Sequence, residues 1–281
     1  MPISGDPHAY RLPTIDLERP HTSRISNRLL GGDLHWAIDR HFADRATAIL
    51  PELPDLLRLN RRFLALAIKF CADRGIEQFL DLGCGTPIRP MTHELVDNVL
   101  PTGRCTYVDI DPVAIAHTQL AVEEHGAPNR HDVLHADLRS SSRLWQTITH
   151  DDRLINPHQP VAIIFSDVLH FLPPGTNERT LATYTDLMPP GSYLIATHLS
   201  TDGVPAEVVN RLLDLRALYG SIGQPVTIRS TSEFTELLSD LQLVAPGVAS
   251  AARWCVSPGP ALASNALDKT WLAAIAHKPC R

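Results

Sequence analysis

Apolar positions change their spacing along this chain, and the changes divide it into three parts. Up to about residue 75 they recur every three to four residues. That predicts a helical cap of three segments: Arg24 to Leu30, Leu34 to Leu50 stopped by Pro51, and Leu56 to Ala72. From 76 to 200 short apolar runs alternate with helical stretches. The runs Phe79 to Leu82, Cys105 to Asp109, His131 to Ala136, Pro160 to Phe165 and Gly191 to Thr197 read as strands. Pro160 to Phe165 is apolar almost throughout, as a strand covered on both faces should be. Beyond 201 come helices Val208 to Tyr219 and Ser232 to Leu238. Strands follow at Gln242 to Ala245 and Thr270 to Ala276, joined by a long loop from Pro246 to Leu267. Alternating strands and helices predict an α/β fold with a mostly parallel sheet. The expected organisation is an N-terminal extension (1–22), a helical cap or lid (23–75) and a core (76–281), without internal repeats.

The chemistry concentrates where predicted strands end. Asp81 closes the first, followed by Gly83-Cys84-Gly85-Thr86-Pro87, a glycine turn able to approach a ligand closely. A dinucleotide-binding turn wants a third glycine three residues on, but Ile88 stands there, with Arg89 and Pro90 after it. A pyrophosphate is therefore disfavoured and an uncharged or cationic nucleoside favoured. Asp109 ends the second strand, one strand–helix–strand interval later, where a carboxylate accepts hydrogen bonds from two ribose hydroxyls. Asp137 follows the third strand, where it could accept from an adenine amine, and Ser166-Asp167-Val168-Leu169-His170-Phe171 follows the fourth. Each aspartate alone is as well read as a helix cap or turn former; three at the ends of consecutive strands point to one ligand.

These motifs resemble those of class I S-adenosylmethionine-dependent methyltransferases: Asp81-x-Gly83-x-Gly85, Asp109, Asp137-Leu138, and Leu169-His170-Phe171. More narrowly, the chain is similar to an actinobacterial methyltransferase-like family known mainly as a domain of unknown function. That likeness rests on Arg24-Ile25, Leu29-Leu30-Gly31-Gly32, Ala37-Ile38-Asp39, Asn60 to Leu64, Gln78 to Pro87, Tyr107 to His117, Ala136 to Arg139, Val168 to Phe171, Pro190 to Leu194, Arg229-Ser230, Pro246 to Val248 and Arg253-Trp254. The resemblance implies a Rossmann-like seven-stranded sheet, mostly parallel with an antiparallel edge hairpin. It implies S-adenosyl-L-methionine as cofactor and S-adenosyl-L-homocysteine as product. The implied cofactor set is Asp81, Gly83, Gly85, Thr86, Asp109, Ile110, Asp137, Leu138 and Ser166, with Arg24 and Gly32 from a lid. One departure stands out. The family usually carries Tyr-Asp-Tyr before Leu-Leu-Gly-Gly and Lys-Asp-Asn after it, whereas this chain has Ser26-Asn27-Arg28 and Asp33-Leu34-His35.

Composition narrows the partners. A formal net charge of −6 with no run of Lys and Arg argues against a nucleic-acid substrate. Five widely spaced cysteines indicate neither a disulfide framework nor a paired-Cys zinc site, so a reducing cytoplasm is the expected setting. No apolar segment is long enough for a bilayer, and Met1 to Pro20 lacks a signal-peptide core. Among 14 histidines only His131 and His135 have a metal-like spacing, and a strand puts them on one sheet face; no metal is expected.

Methyl transfer requires mainly that acceptor and methyl be held in line and shielded from water. If the acceptor must lose a proton, His170 and His198, at strand ends, and His35 in the lid are candidate bases or acceptor-orienting groups. Each reads equally as a buried or capping residue. Asp33, Trp36 and Asp167 are candidate acceptor contacts, with Asp33 alternatively a helix cap. The expectation is a methyltransferase for a small acceptor, such as an aromatic or indole-type specialised metabolite, with homodimerisation left open. A cyclising enzyme on the same fold and a nucleoside sensor are the alternatives.

Overall fold

The computed structural model describes residues 16, 18–150, 155–173, 175–255 and 266–280. Of the predicted extension, residues 1–15 and 17 lie outside the described residues.

Three helices come first: α1 (Thr22–Leu29), α2 (Ala37–Ile49) and α3 (Leu53–Ala72). Helix α2 starts three residues later than its apolar pattern suggests. The Asp39 carboxylate accepts the Trp36 backbone N–H at 2.9 Å, which fixes Trp36 as the cap and leaves Asp33 outside the helix. Helix α3 starts three residues early, because Pro54 fits a first turn, where its missing N–H has no intrahelical partner to lose. Its stripe of Leu56, Leu57, Asn60, Phe63, Leu64, Ala67, Ile68 and Cys71 is buried.

Strands and helices then alternate: β1 (Gln78–Leu82), α4 (Thr92–Val99), β2 (Arg104–Asp109), α5 (Pro112–Glu124), β3 (His131–His135), α6 (Ser141–Thr149), β4 (Val161–Phe165), α7 (Thr176–Leu187) and β5 (Tyr193–Leu199). Next come α8 (Ala206–Gly220), α9 (Thr231–Glu236), β6 (Gln242–Leu243), β7 (Ala249–Ser250), α10 (Ala251–Trp254) and β8 (Trp271–His277). The sheet order is β3-β2-β1-β4-β5-β8-β6. The first five strands are parallel, and β8 runs antiparallel to β5 and β6. Seven strands thus form the expected path, and the two-residue β7 pairs with β8 beside it. The predicted long loop carries β7 and α10 in its described part, where Trp254 packs on Phe63 and donates Nε1–H to the Ala273 carbonyl at 3.0 Å; its residues 256–265 lie outside the described ones.

Side chains of the central strands alternate between two cores, as the pleat requires. Phe79, Ala162, Ile164, Ile195, Ala273 and Ile275 join Ile25, Phe42 and Phe63 of the N-terminal helices. Leu80, Leu82, Ile163, Phe165, Leu194 and Ala274 face the other way, against Trp145, Tyr184 and Phe234. Strands β1 and β4 are buried along their whole length, while β3 at the sheet edge is only partly covered, so its sequence is more polar. Chain direction around the sheet reverses between β1 and β4, opening a crevice at their carboxyl ends.

Candidate functional site

A cavity of about 560 Å³ occupies that crevice, within the range of small-molecule sites. Its floor is made by the ends of β1 to β4, and its roof by residues of α1 and α3.

The glycine turn after β1 sets the closest approach. Gly83 sits at φ +75°, and a Cβ there would lie 2.5 Å from Val168 Cγ2; Gly85 sits at φ +67°. Asp81 is buried, and its Oδ2 accepts the Thr92 hydroxyl at 2.6 Å. Burial pushes its carboxyl up to about 6, against the opposing pull of the Thr92 hydrogen bond and the Arg61 guanidinium. A cationic ligand group beside Asp81 would restore its ionised form.

Asp109 is held by backbone. Its Oδ2 accepts the Gly85 N–H and its Oδ1 the Asp111 N–H, both at 2.8 Å. Burial still raises its pKa, those two bonds opposing the shift. A carboxylate offers about four acceptor positions, so this one keeps capacity for hydroxyl donors. Next to it Ile110 is 53 % exposed, an apolar surface at the mouth of the cavity. Asp137 and Leu138 also line the cavity. The Asp137 carboxylate is already filled by Arg139, whose Nε and Nη2 donate at 2.9 and 2.7 Å and whose backbone N–H adds a third bond. A ligand amine reaches it only when the half-exposed Arg139 side chain swings away.

The roof is tied to the turn by several segments. Thr86 donates to the Ser23 carbonyl at 2.7 Å. Asn27 donates to the Pro87 carbonyl at 3.0 Å and accepts the Leu34 N–H at 2.9 Å. Gly32 is required for this contact, since a Cβ there would fall 2.5 Å from Asn27 Oδ1 and 2.6 Å from Ile88 Cδ1. Arg24 does not line the cavity. It is buried with Nε 2.9 Å from Asp39 and its guanidinium 4.5 Å from the Trp36 ring, so Arg24 and Trp36 brace the lid from behind. Asp33 is exposed, and His35 turns back to the Gly32 carbonyl at 3.0 Å; neither lines the cavity.

At the end of β4, Ser166 accepts the Asn60 side-chain N–H at 3.0 Å, and both face the cavity. Asp167 also faces it, at φ +59°, the one left-handed non-glycine among the described residues. That conformation costs about 1–2 kcal/mol and is tolerated best by Asn and Asp. Thr197 accepts the Asp167 N–H at 2.9 Å, and His170 Nε2 stands 3.3 Å from Asp167 Oδ1. His170 is buried between Phe171 and Trp271, behind Asp167 and outside the cavity lining. His198 is farther removed. Strand alternation turns it away from the Thr197 side, its Nδ1 2.9 Å from the Leu199 carbonyl and its Nε2 2.8 Å from Arg229. Burial and the neighbouring His170 push its pKa down to about 3, so it is neutral. Asn60, Arg61 and Gln224 line the cavity without having been singled out as site residues. The Asn60-Arg61-Arg62-Phe63-Leu64 likeness was the one signal available for the first two.

A mostly parallel sheet of this order with an antiparallel strand beyond β5 is the fold shared by S-adenosylmethionine-dependent methyltransferases. The chain belongs to the S-adenosyl methyltransferase family, whose model matches residues 8–279. It is similar to a crystal structure titled "putative methyltransferase" from Thermobifida fusca YX, at 31 % identity over 97 % of this chain and 100 % of that one, with a TM-score of 0.84. It is also similar to a DUF574 family protein from Streptomyces avermitilis MA-4680, at 28 % identity over 95 % and 100 %, TM-score 0.85. An O-methyltransferase family protein from Burkholderia thailandensis shares the fold at 13 % identity over 93 % and 65 %, TM-score 0.52. A comparison with curated proteins returned no match. The family's cofactor is S-adenosylmethionine. The bare glycine cradle against Val168 and the cation-seeking Asp81 fit it. No helix among the described residues is long and apolar enough to cross a membrane.

Proposed function

We propose that this protein methylates a hydroxyl or ring N–H of a small aromatic or indole-type metabolite in the cytoplasm. In this reading Asp81 takes the cofactor's ammonium group, the Asp109 carboxylate the ribose hydroxyls, and Ile110 and Leu138 the faces of the adenine. Bound there, S-adenosylmethionine supplies an electrophilic methyl group on a sulfonium centre. Asp167 holds the acceptor's X–H and receives its proton, while His170 positions Asp167. Leu57, Leu64 and Phe171 offer apolar walls to a flat acceptor in the same cavity. The apolar recess behind Phe171, near Tyr219 and Trp271, has only about 30 Å³ of space, the share of one water molecule, so the acceptor is assigned to the main cavity.

The observation that carries this reading is the left-handed Asp167. A strained polar residue whose carboxylate faces a ligand cavity, backed by a buried histidine, is the pattern expected where geometry is held for chemistry. Histidines 170 and 198 do not line the cavity, which moves the proton-accepting role to the carboxylate. The test is incubation with S-adenosylmethionine and a panel of phenols, indoles and aliphatic amines, read by mass spectrometry. A gain of one methyl on aromatic acceptors, with S-adenosylhomocysteine released, is expected. Methylation confined to the aliphatic amines would overturn the acceptor class. Saturable cofactor binding with no methylated acceptor in the panel would count against the transferase reading and for a sensor.

A further inference from the structure

A second cluster of chemistry-bearing side chains lies outside the cofactor cavity, where α4, β2 and the end of α5 meet. A nitrogen of His93, a nitrogen of His125 and a carboxylate oxygen of Glu94 all lie within 4.8 Å of one another. None of the three lines the cavity. We propose that these residues hold a divalent transition-metal ion of the zinc class, with Asp97 and Tyr107 ordering the two imidazoles from behind.

The hydrogen bonds around the cluster indicate which atoms would bind. His93 is fully buried; its Nδ1 lies 2.9 Å from the Tyr107 hydroxyl, and its Nε2 has no hydrogen-bond partner among the described residues. A buried polar atom without a partner is destabilising, and a metal on Nε2 would satisfy it. The ring proton then sits on Nδ1, where Tyr107 Oη accepts it. His125 has Nε2 2.9 Å from Asp97 Oδ2, which leaves Nδ1 for the ion. A carboxylate or hydroxyl on the far nitrogen is the usual way a protein orients a metal-bound histidine, and both histidines have one.

Surrounding charges suit a cation. The Arg130 guanidinium is satisfied by Asp97, with its two N–H groups donating at 2.6 and 2.8 Å. Glu94 uses one oxygen to cap the Met91 N–H at 2.6 Å, and its other is paired with Arg89, whose side chain is 59 % exposed and free to leave. Two imidazoles and a carboxylate match zinc and its neighbours; calcium and magnesium prefer all-oxygen sites. His131 stays behind the site, its ring 5.1 Å from that of His93 and its Nε2 3.2 Å from Asp97. The pattern escapes sequence reading because its ligands come from α4 and from the residue after α5, with no short ligand spacing between them. The ion would have a structural task. Helix α4 begins at Thr92, whose hydroxyl holds Asp81, so fastening α4 to β2 and α5 steadies the cofactor cradle.

The test uses the full chain, dialysed against chelator and then titrated with Zn²⁺ while bound metal and Tm are measured. One equivalent bound and a higher Tm are expected, and Co²⁺ in place of Zn²⁺ should give the absorption bands of a low-symmetry site. His125→Ala, at a partly exposed position, should abolish stoichiometric binding. Asp97→Asn should weaken it by about 10- to 100-fold, and His158→Ala, at an exposed histidine elsewhere, should leave it unchanged. Absence of saturable binding in the folded wild type, or binding that survives His125→Ala, would overturn the proposal. Because the readout is metal content and Tm, this outcome is independent of whether any acceptor is methylated.

Discussion

Asp109 and Asp167 follow or end buried parallel strands and both face the same cavity, yet they are held in different ways. Asp109 is fixed by backbone N–H groups of its own turn and of the neighbouring glycine turn. Asp167 is fixed by the Thr197 side chain from β5 and by His170 three residues on, and its backbone is strained. In the proposed reading, strand ends and the glycine turn build the cofactor half of the cavity, whereas the acceptor half draws on Thr197, 30 residues from Asp167 in sequence. The first arrangement suits a constant ligand, and the second leaves the facing surface open to change.

Three substitutions or conditions press on that difference. The largest effect is expected from Asp167→Asn, which keeps a residue tolerant of the left-handed conformation but removes the proton acceptor. Turnover should fall about 10²- to 10⁴-fold, with S-adenosylhomocysteine affinity unchanged, as read by steady-state kinetics and calorimetry. Unaltered turnover would return Asp167 to a purely structural role. Next is Gly83→Ala, which imposes about 1–2 kcal/mol of backbone strain and drives a methyl group into Val168. Cofactor affinity and Tm should both drop; an unchanged affinity would show that the turn does not set the cofactor's approach.

The smallest effect concerns pH. In the free protein the Asp81 carboxyl is raised to about 6 from an ordinary value of 3.8, so its contribution to stability is lost as pH rises through about 6. A bound ammonium group reverses this by favouring the ionised form. Cofactor affinity should therefore fall by up to about tenfold per pH unit below 6, with proton release on binding seen as buffer-dependent heat. A flat affinity between pH 5 and 7 would remove Asp81 from the ammonium site.

The same contrast explains what could be read in the sequence. That the glycine turn, Asp109 and Asp137 would gather at the cavity was legible because each lies at the end of an apolar run, where a parallel sheet opens its crevice. The contacts that tie the helical roof to the cavity floor were not. Asn60 meets Ser166 across 106 residues of chain, and Asn27 meets Pro87 across 60. His198 was read as an active-edge histidine, but one step of strand alternation turns it toward Arg229 and Phe234, while Thr197 faces Asp167. Arg24 was read as a cofactor contact and Trp36 as an acceptor contact, but neither lines the cavity; their packing against each other follows from Asp39 holding both, which the apolar pattern alone does not reveal.

The division of labour is tested most directly by titrating S-adenosylhomocysteine into Asp109→Ala and Asp167→Asn side by side with wild type in a calorimeter. Asp109→Ala should bind about 1–3 kcal/mol more weakly, because ribose hydroxyls lose their buried partner, and Asp167→Asn should bind as wild type does. Full affinity in a folded Asp109→Ala protein, or an equal loss in Asp167→Asn, would contradict it.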